Sequence, residues 1–528
     1  MWITLFERLI KMYIAPNSTI RILRNVTIDN TYQHTIYFTS ANEQASYFAG
    51  LAKYTVSNYT YQRKERILRV GILADNLYDC NYIMFQNTAF GNKWFYAFIT
   101  NVEYVNNEAS NITFELDVMQ TWYFDYTVRP SFIEREHSIT DNVGDNLVPD
   151  DLELGDYIAD SFDGTNLLGS KSIVVAATFD KELNANPGGT YSGIYSGLYY
   201  NVFNNYSAVN DFINSAVNDN KASGIVSIFM MPNNMVGTLG GTVKTYDITK
   251  PKKVTGSIDG YTPKNNKLYT YPYNFMYVTN LNGVGVPFPY EYFSDPTNCT
   301  FAMSGDMSCN PQIVLCPTNY KGVTANYNEK IILDGFPQCS YNTDAFKAWL
   351  AQTGVSQLVS LAGGGAAIAG GVARAGAATA AGGTALAIGG VPLAAVGGIA
   401  AVAGIVAGVA QHATLPMQAQ NAQGNSAMMA LGLKDFAFMP MHIRGEFAKI
   451  IDEYWNVYGY PVHRVKLPNI GTRPHWNYVK TIDVNIVGSV PADDMAKIKS
   501  CYNNGITFWK SGDAVGNYSL DNSVGGSD

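Results

Sequence analysis

Residues 112–118 read ITFELDV, and apolar and polar side chains alternate along them with a period of two. This alternation is typical of a β-strand with one buried face. Residues 94–99, WFYAFI, are almost continuously apolar, which predicts a strand that is buried on both faces or lies at an interface. The turn signal Gly91-Asn92 precedes this second stretch, and we predict a β-rich domain in the first part of the chain.

Strand signals recur further along the chain, over residues 170–344 and 480–487. Residues 207–215, 446–458 and 491–502 instead carry helix signals, such as apolar side chains at helical spacing or a proline in the first turn. The sequence therefore predicts a mainly β fold with some α, in the α+β class.

Composition narrows the classes of function. The chain has 528 residues, enough for several domains with buried cores. Aromatic residues make up 13% and are mostly Tyr, which suits β-structure and extensive interfaces. The net charge of −8 argues against tight binding to nucleic acid. The cysteines form no CxxC pair, which favours free thiols, with a disulfide or zinc site among Cys299, Cys309, Cys316 and Cys339 as the alternative.

A tract of Ala, Gly and aliphatic residues occupies positions 354–410, and the wider window 348–433 contains one charged residue, Arg374. A flexible linker would expose its Ile, Leu and Val side chains to water, whereas linkers are normally diluted with polar residues. A pair of core helices in a soluble domain would contain many destabilising glycines. Both interpretations remain open as alternatives, and we favour conditional insertion into a membrane.

Residues 355–372 and 385–410 are long enough to span a bilayer. As a helix, the second segment is about 39 Å long, against a hydrocarbon core of about 30 Å. Its ten Leu, Ile and Val residues contribute roughly −3 to −6 kcal/mol to insertion, and its six Gly and Pro392 oppose it. The balance is marginal, so protein contacts are able to hold the segment out of lipid. The candidate membrane-active residues are Val355, Leu358, Leu361, Ile368, Val372, Leu386, Ile388, Val391, Leu393, Val396, Ile399, Val402, Ile405, Val406 and Val409.

The sequence lacks the usual catalytic motifs: there is no HExxH, Walker A loop, GxSxG elbow or GxGxxG after a strand. The six histidines are scattered and show no metal-ligand spacing. Residues 134–137, EREH, place a carboxylate beside an imidazole, but neighbouring residues of a strand point to opposite faces. We interpret this stretch as a structural salt bridge or a solvated face, and we predict no enzymatic activity, no bound metal and no cofactor.

Several motifs carry a resemblance to a known family. They are DCNY at 79–82, NKWFY at 92–96, DVMQTW at 117–122, FIEREH at 132–137, YGY at 458–460, RPHWNYVK at 473–480 and NGITFW at 504–509. With them, the chain resembles the tail knob proteins, or distal tail tube proteins, of small short-tailed bacteriophages that infect Gram-positive bacteria. The resemblance covers about residues 30–158 and 434–510.

The resemblance implies a hexameric, mostly β tube at the distal end of a phage tail, with a wall built from the N- and C-terminal segments. It also implies a hydrophobic loop from each subunit, here about residues 354–423, that plugs the tube and enters the host membrane during infection. The implied partners are other copies of this chain, other phage tail proteins, the host cell membrane and translocating genomic DNA, without sequence-specific binding. The implied tube-wall residues are Trp94, Tyr96, Trp122, Trp476, Tyr478 and Trp509.

On this basis we divide the chain into five segments. They are an N-terminal extension at 1–11, the N-terminal part of the tube domain at 12–158, a β-rich middle domain at 159–345, the hydrophobic loop with its flanks at 346–433, and the C-terminal part of the tube domain with a polar tail at 434–528. The alternative functions are a non-enzymatic adsorption or baseplate-type protein, whose tract contacts only other virion proteins, and a cell-wall hydrolase at the tail tip.

Overall fold

The structure is a computed structural model. It describes residues 17–59, 65–165, 167, 171–184, 190–191, 194–195, 197–233, 245–306, 312–336, 338–340, 387–388, 391–392, 435–470 and 476–520. The N-terminal extension predicted at residues 1–11 lies outside these ranges, as do residues 341–386 and 393–434.

Strands dominate the described part of the chain. In chain order they are β1 Ser18–Arg24, β2 His34–Ile36, β3 Ala52–Tyr59, β4 Ile67–Val70, β5 Cys80–Gln86, β6 Phe95–Asn106, β7 Ala109–Leu116, β8 Tyr126–Val128, β9 Ser131–Glu136, β10 Tyr157–Ala159, β11 Asp163–Gly164, β12 Lys171–Ala177, β13 Thr190–Tyr191, β14 Ile194–Tyr195, β15 Tyr199–Phe203, β16 Ile225–Pro232, β17 Thr245–Pro251, β18 Asn274–Thr279, β19 Gly285–Phe288, β20 Asn298–Asp306, β21 Gln312–Tyr320, β22 Val323–Ala325, β23 Ile331–Leu333, β24 Gln338–Ser340, β25 Ala387–Ile388, β26 Val391–Pro392, β27 Ala437–Ile443, β28 Tyr460–Lys466, β29 Trp476–Asp483, β30 Ile486–Gly488 and β31 Ile506–Trp509.

The α-helices among the described residues are α1 Ala41–Gly50, α2 Val118–Thr121, α3 Tyr206–Asn218, α4 Gly445–Tyr458 and α5 Ala492–Asn504. The predicted helices at 207–215, 446–458 and 491–502 are therefore confirmed, with end shifts of at most three residues. The mainly β class of the fold is also confirmed.

The chain divides into two compact units. The first contains residues 1–155, 257–268 and 445–528, and the second contains residues 156–256 and 269–444. The sequence-based division into five segments stays a prediction, and the units differ from it at two places. Strand β27 belongs to the second unit although residues 434–528 were assigned to the tube domain, and residues 257–268 belong to the first unit although the middle domain was predicted as continuous.

Both differences arise from long-range contacts that no local pattern indicates. Strand β27 pairs with β18 along its length, from Ala437 opposite Thr279 to His442 opposite Asn274. Residues 257–268 instead attach to helix α4 through polar side chains, chiefly those of Asn265 and Asp452.

The first unit is built on two antiparallel-rich sheets. One has the strand order β3-β1-β5-β6-β7-β4, and the other has the order β2-β31-β29-β9-β28, in which β2 runs parallel to β31. In the second sheet, strand β9 from the N-terminal segment lies between β28 and β29 from the C-terminal segment. Distant parts of the chain therefore complete one sheet.

The described residues of the first unit form two apolar clusters, which we call its cores. The larger includes Ile83 and Phe114 from the six-stranded sheet together with Ile498 of α5 and Phe508 of β31. The smaller is aromatic and is centred on Phe48 of α1, whose ring stacks on Tyr82 and lies against Tyr96.

The second unit contains three larger sheets, with the strand orders β10-β27-β18-β19, β15-β12-β16-β24 and β17-β20-β21-β22; strand β11 pairs with β27 and β23 pairs with β21. Its larger core brings together Phe229, Phe301, Leu315 and Phe438. Helix α3 covers a smaller core that includes Val175 and Phe212. Helix α3 begins after Asn205, whose side chain accepts a hydrogen bond from Ala208 N and so caps the helix.

Cys80, Cys299, Cys316 and Cys501 are buried free thiols, so Cys299 and Cys316 do not form the alternative disulfide; Cys309 and the side chain of Cys339 lie outside the described residues. Within the described ranges, no set of three His, Cys, Asp or Glu side chains gathers closely enough to hold a metal ion. None of the helices that the structure describes combines the length and the apolar character needed to cross a bilayer.

Candidate functional site

The candidate membrane-active residues lie outside the described part of the chain, apart from Ile388 and Val391. The backbones of these two residues pair across the two-residue strands β25 and β26. The assignment of the membrane-active loop therefore stays a prediction, and the structure bears on it through the residues that flank the tract.

The two flanks of the tract enter the same apolar core of the second unit. Phe336 precedes the tract and is 1% exposed, and Phe436 follows it and is fully buried. Phe436 is held further by its backbone carbonyl, which accepts a 3.0 Å hydrogen bond from Thr165 N. The side chain of the adjacent Asp435 accepts from the Thr165 hydroxyl and from Phe436 N, the second at 2.8 Å. The described residues next to the two ends of the tract, Phe336 and Phe436, are thus fixed in one core.

Strand β27 secures the C-terminal flank of the tract. It pairs with β18 on one side and with β10 on the other. His442 on this strand is 5% exposed, and its Nε2 lies 3.1 Å from Oδ1 of Asp160. Lys253 lies 2.7 Å from the other carboxylate oxygen of Asp160. The C-terminal flank is therefore an integral strand of the second unit.

The predicted tube-wall residues fall into two groups inside the first unit. Trp476 and Trp509 are opposite each other on β29 and β31, fully buried, with ring centroids 5.9 Å apart. Nε1 of Trp509 donates a 3.2 Å hydrogen bond to Nδ1 of His34. Tyr478 on the same strand as Trp476 packs edge-on against Tyr458 of α4 at 5.3 Å.

The second group lies beside strand β6. Trp122 donates a 2.9 Å hydrogen bond from its indole Nε1 to Asp494 of α5, and the Lys93 ammonium lies 3.8 Å from its ring centroid. Tyr96 is buried, and its backbone N donates to the hydroxyl of Thr121 at 3.0 Å. Trp94 is half-buried under the guanidinium of Arg21. In this chain these residues build the interior of the first unit, and a role in a tube wall stays a prediction.

The stretch at residues 134–137 serves the structural role that the sequence suggests. Glu134 pairs with Lys480 at 2.7 Å, and Glu136 pairs with Lys466. Arg135 pairs with Asp150 at 2.6 Å, with both side chains at most 10% exposed. These ion pairs tie β9 to its neighbouring strands and to the segment that follows it.

His137 is fully buried beneath the ring of Trp476, with ring centroids 4.2 Å apart. Its Nδ1 accepts a 2.7 Å hydrogen bond from the backbone N–H of Tyr478. Its Nε2 lies 3.1 Å from the carbonyl oxygen of Asn456. Because one ring nitrogen faces a donor and the other an acceptor, the geometry fits the neutral imidazole with its proton on Nε2.

A buried polar network around helix α4 is the feature that sequence reasoning missed. Asp452 is fully buried, and its carboxylate accepts hydrogen bonds from Tyr261 Oη at 2.8 Å, Lys264 N at 2.7 Å, and both Asn265 N and Asn265 Nδ2 at 3.0 and 2.8 Å. Burial raises the pKa of Asp452 above its usual range, and these donors oppose the rise. An acidic residue within a helical pattern gave no sign of this role.

Lys267 is the second buried charge of this network, at 4% exposure. Its Nζ donates a 2.7 Å hydrogen bond to Val148 O and lies over the rings of Trp455 and Tyr460. Burial lowers the pKa of Lys267 to about 8, and the nearby Asp150 carboxylate opposes this shift.

Comparison with known proteins identifies the family to which this chain belongs. A family model described as the tail knob protein gp9 of Bacillus phage phi29, C-terminal domain, matches residues 241–523, which is more than half of the 528 residues. The chain belongs to this tail knob family. A second model, described as the caudoviral major tail protein N-terminus, matches residues 16–127. The predicted family is therefore confirmed.

Individual tail knob proteins match over nearly the whole chain. The tail knob protein gp9 of Bacillus phage phi29 is 27% identical over 602 aligned positions, which cover 97% of this chain and all of that protein. The tail knob protein gp9 of Bacillus phage B103 is 26% identical over the same extent. The solved structure of the bacteriophage C1 tail knob protein, gp12, has a TM-score of 0.63 at 15% identity and covers 95% of this chain and 98% of that chain. This structure shares the fold.

As a tail knob protein, the chain is a structural component at the distal end of a short phage tail. Tail knob proteins are oligomeric in the virion and associate with other tail proteins. They are not enzymes, so the prediction that the chain is not an enzyme is confirmed and the cell-wall hydrolase is excluded.

Proposed function

We propose that six copies of this chain form the distal tube of the tail and that the loop at about residues 354–423 of each copy closes the tube. On infection the loops leave the tube, enter the host cell membrane and form a conduit through which the genome passes. The observation that carries this proposal is the low charge of the tract and its flanks. Residues 348–433 contain one charged residue, whereas the rest of the chain is polar.

The marginal lipophilicity of the tract suits a stored membrane segment. Six tracts packed together hide their apolar surface within a water-soluble particle. Because Gly and Pro offset the aliphatic side chains, insertion into lipid has a small net free energy. Contacts between subunits are then sufficient to retain the loops, and release becomes a shift between a plugged and an inserted state.

The flanks of the tract support movement of the loop without unfolding of the unit that bears it. Phe336 and Phe436 are both buried in the larger core of the second unit. Strand β27, immediately after Phe436, is paired on both sides. The loop is therefore attached at two fixed points, and its displacement leaves the core contacts of those points intact.

The proposed conduit has to pass DNA without retaining it. Phosphate contacts from Lys and Arg produce most of the non-specific affinity of proteins for DNA. The chain carries a net charge of −8, which disfavours such contacts on an oligomer of this chain. We therefore expect DNA to translocate without being retained by phosphate contacts and without sequence-specific binding.

Leakage of a trapped dye from liposomes tests the membrane step. We expect purified protein to release the dye, and we expect deletion of residues 354–410 to abolish release while the oligomer still assembles. A sharper variant is the double substitution Ile399→Asp and Ile405→Asp, which adds two charges to the tract at a cost of several kcal/mol for insertion.

Ile450→Asp is the matched control, because Ile450 is 63% exposed on helix α4 and outside the tract. This variant should release dye as the parent does. Full leakage by the deletion variant would reject the assignment of the loop. Absence of leakage from every form, with the oligomer intact, would favour the adsorption or baseplate-type alternative, in which the tract contacts only virion proteins.

A further inference from the structure

Three strongly exposed aliphatic side chains lie at one corner of the five-stranded sheet of the first unit. They are Val465 on β28 at 68%, Ile482 on β29 at 60%, and Leu467 directly after β28 at 57%. Single exposed apolar side chains are common on protein surfaces, whereas a contiguous group of them marks a contact surface. The register of the sheet decides whether these three are neighbours.

Strand β9 brings the three side chains together. Its Phe132 is opposite Val465 on one side and opposite Asp483, the residue after Ile482, on the other. Because neighbouring strands lie about 4.8 Å apart, the backbones of Val465 and Asp483 are about 10 Å apart. Leu467 follows Val465 by two residues. The exposed side chains therefore surround Phe132, which is itself partly exposed, and we call this group the corner patch.

Strand β28 is an edge strand. It stands at one end of the strand order β2-β31-β29-β9-β28, and among the described strands it pairs with β9 alone. The backbone N–H and C=O groups on the outer side of an edge strand are able to pair with a further strand. Natural edge strands are usually protected against such pairing by a proline, a bulge or a charged side chain.

The protecting features of β28 lie mostly in its first half. Pro461 lacks an N–H, and a bulge between Pro461 and Arg464 holds His463 at a φ of 47°. From Arg464 to Lys466 the pairing with β9 is regular. The ammonium of Lys466 is bound to Glu136 of the same chain, which leaves Arg464 as the exposed charge of this half. Residues 464–467 therefore present a regular edge with two exposed aliphatic side chains.

The opposite end of the same sheet is covered by the chain itself. Its terminal strand is β2, where Nε2 of Gln120 donates to the carbonyl oxygen of Ile36 at 2.9 Å and to the hydroxyl of Thr35 at 2.8 Å. Both Thr35 and Ile36 are buried. An additional strand would have to displace these contacts at β2, whereas at β28 it meets exposed side chains.

A second copy of this chain is the occupant that fits the edge of β28. Tail knob proteins are oligomeric in the virion, so part of the surface that a single chain exposes is buried between copies. Subunit interfaces are enriched in apolar and aromatic side chains and in arginine. The corner patch has this composition, with Val465, Leu467, Ile482 and Phe132 beside Arg464.

We propose that residues 464–467, together with Ile482, form an interface at which β28 adds to an edge strand of a second copy. Backbone hydrogen bonds between the two strands attach the copies, and the corner patch is removed from water. The inference rests on the proposed tube in one respect: a ring of six copies requires β28 of one copy to meet a different edge strand of the next. The interface itself does not depend on the membrane step.

Sedimentation of the purified full-length protein tests the interface. We expect the parent to associate, and we expect Val465→Asp and Leu467→Asp each to weaken association on the order of tenfold or more, because a carboxylate would be buried without a counter-charge. Val465→Ile should associate as the parent does. Val323→Asp is the control for an added charge, because Val323 is 47% exposed on β22 of the second unit, and this variant should also associate normally.

Two further measurements accompany the sedimentation. The thermal midpoint of each variant, measured on the dilute monomer, should match that of the parent, because the substituted side chains are exposed. A photoreactive amino acid in place of Val465 should link two copies on irradiation, whereas one in place of Val323 should not.

The outcomes separate the interface from the tube. Parent-like association of both Asp variants in the corner patch, a parent that stays monomeric in concentrated solution, or cross-links confined to one chain would overturn the interface. A parent dimer that Val465→Asp separates would support the interface and reject the tube of six copies.

Discussion

The indole Nε1 of Trp455 donates a 2.9 Å hydrogen bond to Oδ2 of Asp150. The other oxygen of this carboxylate accepts a 2.6 Å hydrogen bond from Nη2 of Arg135, so the Asp150 side chain connects helix α4 to strand β9. A carboxylate with two such partners is a structural junction, and its removal leaves a buried guanidinium without its counter-charge.

Asp150→Ala should destabilise the first unit by about 3–5 kcal/mol, because Arg135 stays buried without its partner. Thermal unfolding of the purified protein measures the loss as a lower midpoint. Asp151→Ala is the control, since the neighbouring Asp151 is exposed and should leave the midpoint nearly unchanged. Equal midpoints for the two variants would show that the junction adds nothing to stability.

Asp117→Asn should flatten the dependence of stability on pH. Burial raises the pKa of Asp117 to about 6, so the folded state binds a proton more strongly than the unfolded chain does. The resulting stabilisation is complete below about pH 4 and is lost as the pH rises through about 6, an effect on the order of 3 kcal/mol. The Asn side chain keeps an oxygen to accept from Gln120 N and removes the titration.

Chemical denaturation of the parent and of Asp117→Asn between pH 4 and pH 7 measures this difference. The variant should lose less stability across the range. Asp483→Asn, at an exposed position on β29, should follow the parent. Identical slopes for Asp117→Asn and the parent would contradict the assigned titration.

Gly459→Ala should destabilise the first unit much more than Gly91→Ala. Both glycines have nearly the same positive φ, 66° and 67°, so the backbone strain of about 1–2 kcal/mol is shared. A Cβ at residue 459 would lie 2.2 Å from the carbonyl oxygen of Glu136, whereas a Cβ at residue 91 meets nothing within 4 Å. The difference between the thermal midpoints of the two variants measures the cost of the steric overlap at residue 459. Similar midpoints would mean that β9 moves aside without cost.

Phe436→Ala should destabilise the second unit by about 3–5 kcal/mol through the cavity that it leaves. Phe162→Ala in the same unit removes a ring that is 51% exposed and should cost far less. If Phe436 anchors the loop as proposed, the Phe436→Ala protein should also release its loop more readily, which earlier protease cleavage within residues 393–434 would detect. Parent-like stability and cleavage together would count against the anchor.

Local patterns were sufficient for elements whose own residues determine them. The alternation at residues 112–118 corresponds to the end of β7, Ala109–Leu116, which then passes into α2. The helical spacing of residues 446–458 corresponds to α4. In both cases the periodic burial of side chains on one face is recorded in the sequence itself.

The same patterns missed the elements that depend on a distant partner. The local sequence of strand β27 does not indicate which unit it belongs to. Its pairing with β18 places it in the second unit. The local sequence around Lys267 is that of an ordinary surface lysine. Its side chain is buried because distant residues surround it, namely the rings of Trp455 and Tyr460 and the carbonyl oxygen of Val148. No spacing along the chain records such contacts.

The sequence by itself determined that the chain is rich in strands and that its uncharged apolar residues are concentrated in one tract, because periodicity and composition are properties of neighbouring residues. Only the tertiary structure decided that Phe336 and Phe436 share a core and that Asp452 accepts a hydrogen bond from the backbone N–H of Asn265, 187 positions away. Burial of a charge or an aromatic ring depends on which distant segments surround it, and that arrangement exists only in the folded chain.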